Sequence, residues 1–144
     1  MVFFGQRDGR WASVKLGGSK RTVGTDGCTT CTISDAVSFL SGTIKDPGYL
    51  AQTLNYTPEG YILWPSLSKI GLGLKNRSRF YNKQVILDGL KNPKTTVSLN
   101  VDGGRHWVFA LKSLPFNQFW VHDPWTNSKK VYGGVVGSAT IIKL

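Results

Sequence analysis

The apolar positions of this chain keep two different periods. Before residue 93 they recur at intervals of three and four, and after residue 95 they alternate. The first pattern predicts a helix over residues 28–41, on which Cys28, Cys31, Thr32, Ala36, Phe39 and Leu40 share a face and Gly42 supplies the stop. Asp46-Pro47, an N-cap followed by a first-turn proline, predicts a short helix to about Leu54. A brief helical piece is expected from Leu63-Trp64-Pro65 to Gly71. Around Arg79-Phe80-Tyr81 the reading is a short strand; Asn82 then caps a helix carrying Val85, Ile86 and Leu90 that ends near Asn92-Pro93.

The second pattern predicts strands. Thr95–Val101 alternates, Asp102-Gly103-Gly104 turns, and His106 to Lys112 forms the next strand. Pro115-Phe116-Asn117 turns again into Gln118 to His122, and Ala139 to Lys143 supplies the last strand. Residues 5 to 27, rich in Gly, Ser, Thr and Lys, lack a period and read as a long ordered loop, which in a compact domain is more often functional than filler. Helices first and antiparallel strands afterwards predict an α+β fold, one domain over residues 1–144 without repeats.

Charge changes the picture at the level of partners. Eighteen Lys and Arg against eight acids leave a net charge of +10, with Glu59 the only glutamate. Such a balance favours polyanions: nucleic acid, wall polymers bearing teichoic acid, or anionic membrane surfaces. It is equally compatible with a solvated basic surface that has no specific partner. The cations are scattered through Lys15, Lys20-Arg21, Arg77 and Arg79, Lys91 and Lys94, and Lys129-Lys130, without the run that marks a disordered tail. No aromatic-basic RNA-binding motif is present, so nucleic acid ranks low as a partner. No stretch approaches the roughly 20 apolar residues of a membrane span. Met1-Val2-Phe3-Phe4 is too short for a signal peptide. The expectation is a protein made soluble in the cytoplasm without a cleaved leader, then virion-associated or released if it works at the cell wall.

The candidate chemistry lies in three places. Cys28 sits where the turn Gly24-Thr25-Asp26-Gly27 runs into the first helix. Free amides and the helix dipole favour a thiolate there, the Cys28 N–H is a natural oxyanion donor, and Gly24 and Gly27 let the backbone approach a substrate carbonyl. His106 opens one strand and Asp123 closes the next. A hairpin turning at Leu114-Pro115 sets these two directly opposite, with β-carbons about 5 Å apart. Side-chain alternation then sends His122 to the other face. Taken singly, the three residues read equally as a buried small hydrophobe, a strand start and a strand end. In this order and context they form the nucleophile, base and orienting acid of a thiol hydrolase. Cys28-Thr29-Thr30-Cys31 also spells C-x-x-C, but a redox site needs a buried strand ahead of it and a zinc site needs two more close ligands. Cys31 is therefore expected in the core, with no metal or cofactor. Trp11, Trp64, Trp107 and Trp125 either line a substrate groove or pack as core and rim.

At these residues the chain resembles the C39-like branch of the papain-like cysteine peptidases, over nearly its whole length. Gln6-Arg7-Asp8-Gly9-Arg10-Trp11 is similar to that family's opening Q-x-D-x-x-W, and Gly27-Cys28 to its nucleophile turn. His106-Trp107-Val108 and Asp123-Pro124 are similar to its H-W-V and D-P segments. The resemblance implies a papain-like fold, with an N-terminal helix carrying the nucleophile packed on a C-terminal antiparallel sheet. It implies Cys28 as nucleophile, His106 as general base and acid, Asp123 as its orienter, and an upstream glutamine completing the oxyanion hole. In the bacteriocin-processing members that glutamine lies a few residues before the cysteine, where this chain has Thr22, so Gln6 must fold back to serve. Gly27, Trp64 and Trp107 are the expected substrate contacts. The implied activity is cleavage of an amide bond in a peptide or peptidoglycan, as in a phage or bacterial lysin, with processing of a leader or virion protein as a variant. A non-catalytic binding or virion structural module on the same fold is the alternative.

Overall fold

The computed structural model describes all 144 residues. Four helices are formed: α1 (Val23–Asp26), α2 (Cys28–Ser41), α3 (Pro47–Thr53) and α4 (Lys83–Lys91). A 3-10 segment covers Trp64–Ile70. Six strands follow the helical half: β1 (Leu72–Ser78), β2 (Thr95–Val101), β3 (His106–Leu114), β4 (Gln118–Asp123), β5 (Ser128–Tyr132) and β6 (Gly137–Lys143), although α4 is inserted after β1. They pair antiparallel in the order β1-β6-β2-β3-β4-β5. The architecture is α+β. None of its helices is long and apolar enough to cross a membrane.

The caps sit where local chemistry puts them. Asp46 accepts from the Tyr49 N–H at the start of α3, and Asn82 from the Val85 N–H at the start of α4. Gly42 closes α2 with a left-handed backbone at φ 69°. The sheet is lined on its two faces by separate cores. Ile33, Ala36 and Val37 of α2 meet Phe109, Ala139 and Ile141 on one face. Ile86 of α4 meets Val97, Leu99, Val108 and Val121 on the other.

Five expectations need correction. The first strand covers Leu72–Ser78 rather than residues 79–81, with Arg79 and Phe80 left exposed after it and Tyr81 half-buried. Residues 128–132 form an edge strand that no alternation announces, because its lysines serve to blunt the edge rather than to fill a core. The loop over 5–27 contains α1, held by reciprocal Thr22 and Thr25 caps, and a Lys15–Thr22 bridge. Phe39, placed on the buried face of the first helix, is 49% exposed, while Ile33, Ser34, Asp35 and Val37 are buried. From Cys28 to Ser38 only Thr29 escapes burial, since the helix is enclosed by the sheet, α3 and the N-terminal segment, so one-sided periodicity under-reads it.

The fifth correction is the β3–β4 register. Phe109 faces His122 and Ala110 faces Val121, with a bulge at Leu111 and the turn centred on Phe116, both Phe116 and Asn117 taking positive φ. His106 and Asp123 are therefore diagonal neighbours rather than a facing pair. Turn position and bulge together slide the strand by two residues, an even step, so the two side chains keep to one face.

Candidate active site

The start of β3, the end of β4 and the start of α2 meet at one end of the sheet. They border a cleft of about 1220 Å³ whose walls include Gln6, Cys28, Trp64, His106, Trp107, Asp123 and Trp125. Cys28 occupies the first position of α2, with 9% of its surface exposed, and its main-chain N–H makes no hydrogen bond within the protein. Gly27 precedes it as the N-cap. A β-carbon on Gly27 would sit 2.4 Å from the Val23 carbonyl oxygen, and one on Gly24 2.8 Å from that of Ala12. Both glycines are demanded by the close packing of α1 against its neighbours. Gly27, expected as a substrate contact, is buried and adjoins the cleft through Cys28 rather than lining it.

His106 Nε2 lies 2.8 Å from Asp123 Oδ1. The Cys28 thiol stands near the same ring. Burial pulls the imidazole's pKa down, but the hydrogen bonds with Asp123 and Cys28 and their charges outweigh it and push it up to about 9. Asp123 is enclosed by donors. Its Oδ1 also accepts the Trp125 N–H at 2.9 Å, its Oδ2 accepts the Tyr132 hydroxyl at 3.0 Å, and Lys130 Nζ lies 3.4 Å away. Burial disfavours the anion, yet the partners, His106 first, hold this carboxyl well below the usual carboxylate range. The result is an imidazole kept cationic at neutral pH beside a thiol, and an aspartate fixed as its counterion.

Gln6 reaches the same cleft. Its side chain is 2% exposed, Nε2 donates to the Gly24 carbonyl at 3.2 Å, and its own N–H donates to the Pro124 carbonyl at 2.9 Å. The glutamine is thus tied at once to the turn before Cys28 and to the residue after Asp123. The tie depends on the segment before it. Val2 N–H donates to Ser38 Oγ and Phe4 N–H to Asp35 Oδ1, while Phe3 stacks on His122 at 4.6 Å. His122, on the face opposite Asp123, is buried against α2, with Nε2 2.9 Å from Asn127 Oδ1.

Trp64 and Trp107 pack edge to face at 5.7 Å on one wall of the cleft, and Trp125 stands on the rim under the Arg7 guanidinium. Trp11 does not take part. It is buried with Phe4, Leu16 and Cys31, its indole N–H donating to the Gly5 carbonyl. Cys31 is fully buried, and burial, with Asp35 and Cys28 nearby, raises its thiol pKa well above the ordinary value. Both cysteines are free. Sequence reasoning missed Tyr132 and Lys130, the second pair of donors around Asp123, because they belong to the unannounced edge strand. With this geometry in view, no family model, curated protein or solved structure matches the chain.

Proposed function

We propose that this protein is a cysteine peptidase or amidohydrolase of papain-like construction, related to the C39-like branch. The observation that carries the reading is one juxtaposition: the His106 imidazole hydrogen-bonded to Asp123 at 2.8 Å, with the helix-initiating Cys28 near it, all lining one cleft. In the reaction the Cys28 sulfur attacks the carbonyl carbon, forming a C–S bond and a tetrahedral oxyanion. The Cys28 N–H and the Gln6 amide are the donors proposed for that oxygen. His106 passes its proton to the leaving amine as the C–N bond breaks. It then takes a proton from water as the new C–O bond forms, and C–S cleavage frees the thiolate. Asp123 orients the imidazole and offsets its charge throughout. Trp64 and Trp107 provide the apolar wall for the substrate chain.

The substrate class proposed is a peptide, and in particular the peptide of a bacterial cell wall, where a net charge of +10 favours residence on anionic polymers. Two measurements test the reading. Iodoacetamide at about pH 6 should alkylate Cys28 fast and spare the buried Cys31, and His106→Ala should abolish the difference. Digests of purified peptidoglycan and of random peptides, read by mass spectrometry, should yield new termini absent with Cys28→Ala. A thiol that reacts no faster than a model cysteine, with no new termini, would leave a peptidase-fold binding module as the better account.

A further inference from the structure

Five basic side chains line the cleft, and three of them already have an acidic partner. Arg21 lies 3.4 Å from Asp26, Arg105 3.8 Å from Asp102, and Lys130 3.4 Å from Asp123. Arg77 and Arg79 have none within ion-pairing distance. They sit together where the edge strand β1 ends, Arg77 within it and Arg79 just past it; burial, with Arg79 nearby, lowers the Arg77 pKa.

The Arg77 guanidinium is built into the wall rather than waving in solvent. It lies over the Trp107 ring at 4.8 Å, and Nη1 donates to the Ser78 and Ser138 carbonyls. Its Nε is buried without a partner, and so is Oδ1 of Asn100, the residue paired with Trp107 across the β2–β3 ladder. Gly137 makes the space between them. A β-carbon there would fall 3.2 Å from Arg77 Nη1 and 3.5 Å from the Asn100 β-carbon. Two arginines, an unsatisfied amide and an indole thus converge one residue along the strand from His106.

Resting on the peptidase reading above, we propose that Arg77 and Arg79 form a subsite for a carboxylate of the substrate peptide, placed over Trp107. A carboxylate offers acceptor oxygens to the N–H groups of the two guanidinium planes and supplies the negative charge both lack. An uncharged peptide leaves both arginines uncompensated. The site therefore selects peptides with an acidic side chain or a free C-terminus near the scissile bond. Its specificity comes from a charged group that the catalytic trio does not touch.

Binding can be measured without turnover, on the Cys28→Ala protein. The probes are four fluorescein-labelled hexapeptide pools, carrying Glu or Gln at a fixed position and ending in acid or amide, read by anisotropy at about 0.15 M salt to limit long-range steering. We expect a pool with the preferred carboxylate to bind about tenfold more tightly than its uncharged isostere, as befits a charge-assisted pair. The acid-versus-amide arms separate a C-terminal source from a side-chain source. Arg77→Gln should reduce the preference below about threefold, as should the more exposed Arg79→Gln if the first variant folds poorly, while Lys91→Gln, equal in charge removed but remote, should leave it intact. Equal or absent binding of charged and uncharged pools overturns the proposal, as does a preference untouched by either arginine change. A protein that hydrolyses peptides without this preference loses only the subsite; one that keeps the preference yet cleaves nothing loses only the peptidase reading.

Discussion

The proton on His106 is the residue-scale quantity on which the proposed chemistry turns. Asp123 and Cys28 raise its pKa to about 9 against the pull of burial, so the imidazolium is present through neutral pH. Amide cleavage needs that proton for the leaving amine, so kcat/KM should fall as pH rises through about 9. Asp123→Asn removes the first of the groups that raise it, and the descending limb should move to lower pH with a loss of about 10²-fold in kcat/KM. A pH–rate profile checks both; a limb that stays in place in the Asp123→Asn variant would detach the aspartate from the imidazole's chemistry. The same residue shows how a sequence expectation can be right for an altered reason. The pair is diagonal rather than facing, yet the shift is by two residues and parity keeps both side chains together.

At the scale of elements, the N-terminal segment acts as a strap across α2. Phe4 N–H on Asp35, Val2 N–H on Ser38 and the Phe3–His122 stack hold residues 2–4, and Gln6 follows them into the cleft. Asp35 is fully buried. Its Oδ2 lies 3.4 Å from His122 Nδ1 without the alignment of a hydrogen bond. Burial pushes this carboxyl's pKa up to about 6, more than its neighbours His122 and Phe4 lower it. The folded protein then holds the proton where the unfolded chain has released it. This contribution to stability is full below about pH 4 and is lost as pH rises through about 6. Asp35→Asn, which keeps an acceptor for Phe4, should melt with a flatter profile than the wild type over that range. Asp35→Ala strands the Phe4 N–H and should cost about 1–3 kcal/mol by denaturant unfolding, together with a drop in kcat as Gln6 loosens. Parallel profiles for the wild type and the Asp35→Asn variant would show that the buried carboxyl is ionised in both states.

The whole molecule carries its charge over a sheet whose two edges, β1 and β5, both bear lysines or arginines. That distribution discourages edge-to-edge association and leaves a basic exterior. Retention on anionic wall preparations or on polyphosphate beads should be strong at about 0.05 M salt and lost by about 0.5 M, where the screening length has shrunk severalfold. Cleavage of a small uncharged peptide should change far less over the same range. Retention that ignores salt would point to a specific wall ligand instead of summed charge.

Much of this was legible along the chain, and the reasons differ by element. α2, α3 and α4 were readable because an apolar repeat, a capping residue and a stop are local events, each decided within one or two turns. Cys28, His106 and Asp123 were readable because each sits at an element boundary that turn chemistry marks. The edge strand with Lys130 and Tyr132 was not, since its partner β4, rather than a buried face of its own, makes it a strand. Nor was the fold-back of Gln6, which rests on hydrogen bonds to Gly24 and Pro124, eighteen and 118 positions away by sequence. The residues alone determined α2, α3 and α4, the alternating strands and the shared face of His106 and Asp123, because those follow from dihedral period and sterics between near neighbours. Only tertiary structure decided which donors enclose Asp123, which glycines must be glycine and which arginines go unpaired, because these depend on distances between segments that the chain brings together solely through packing.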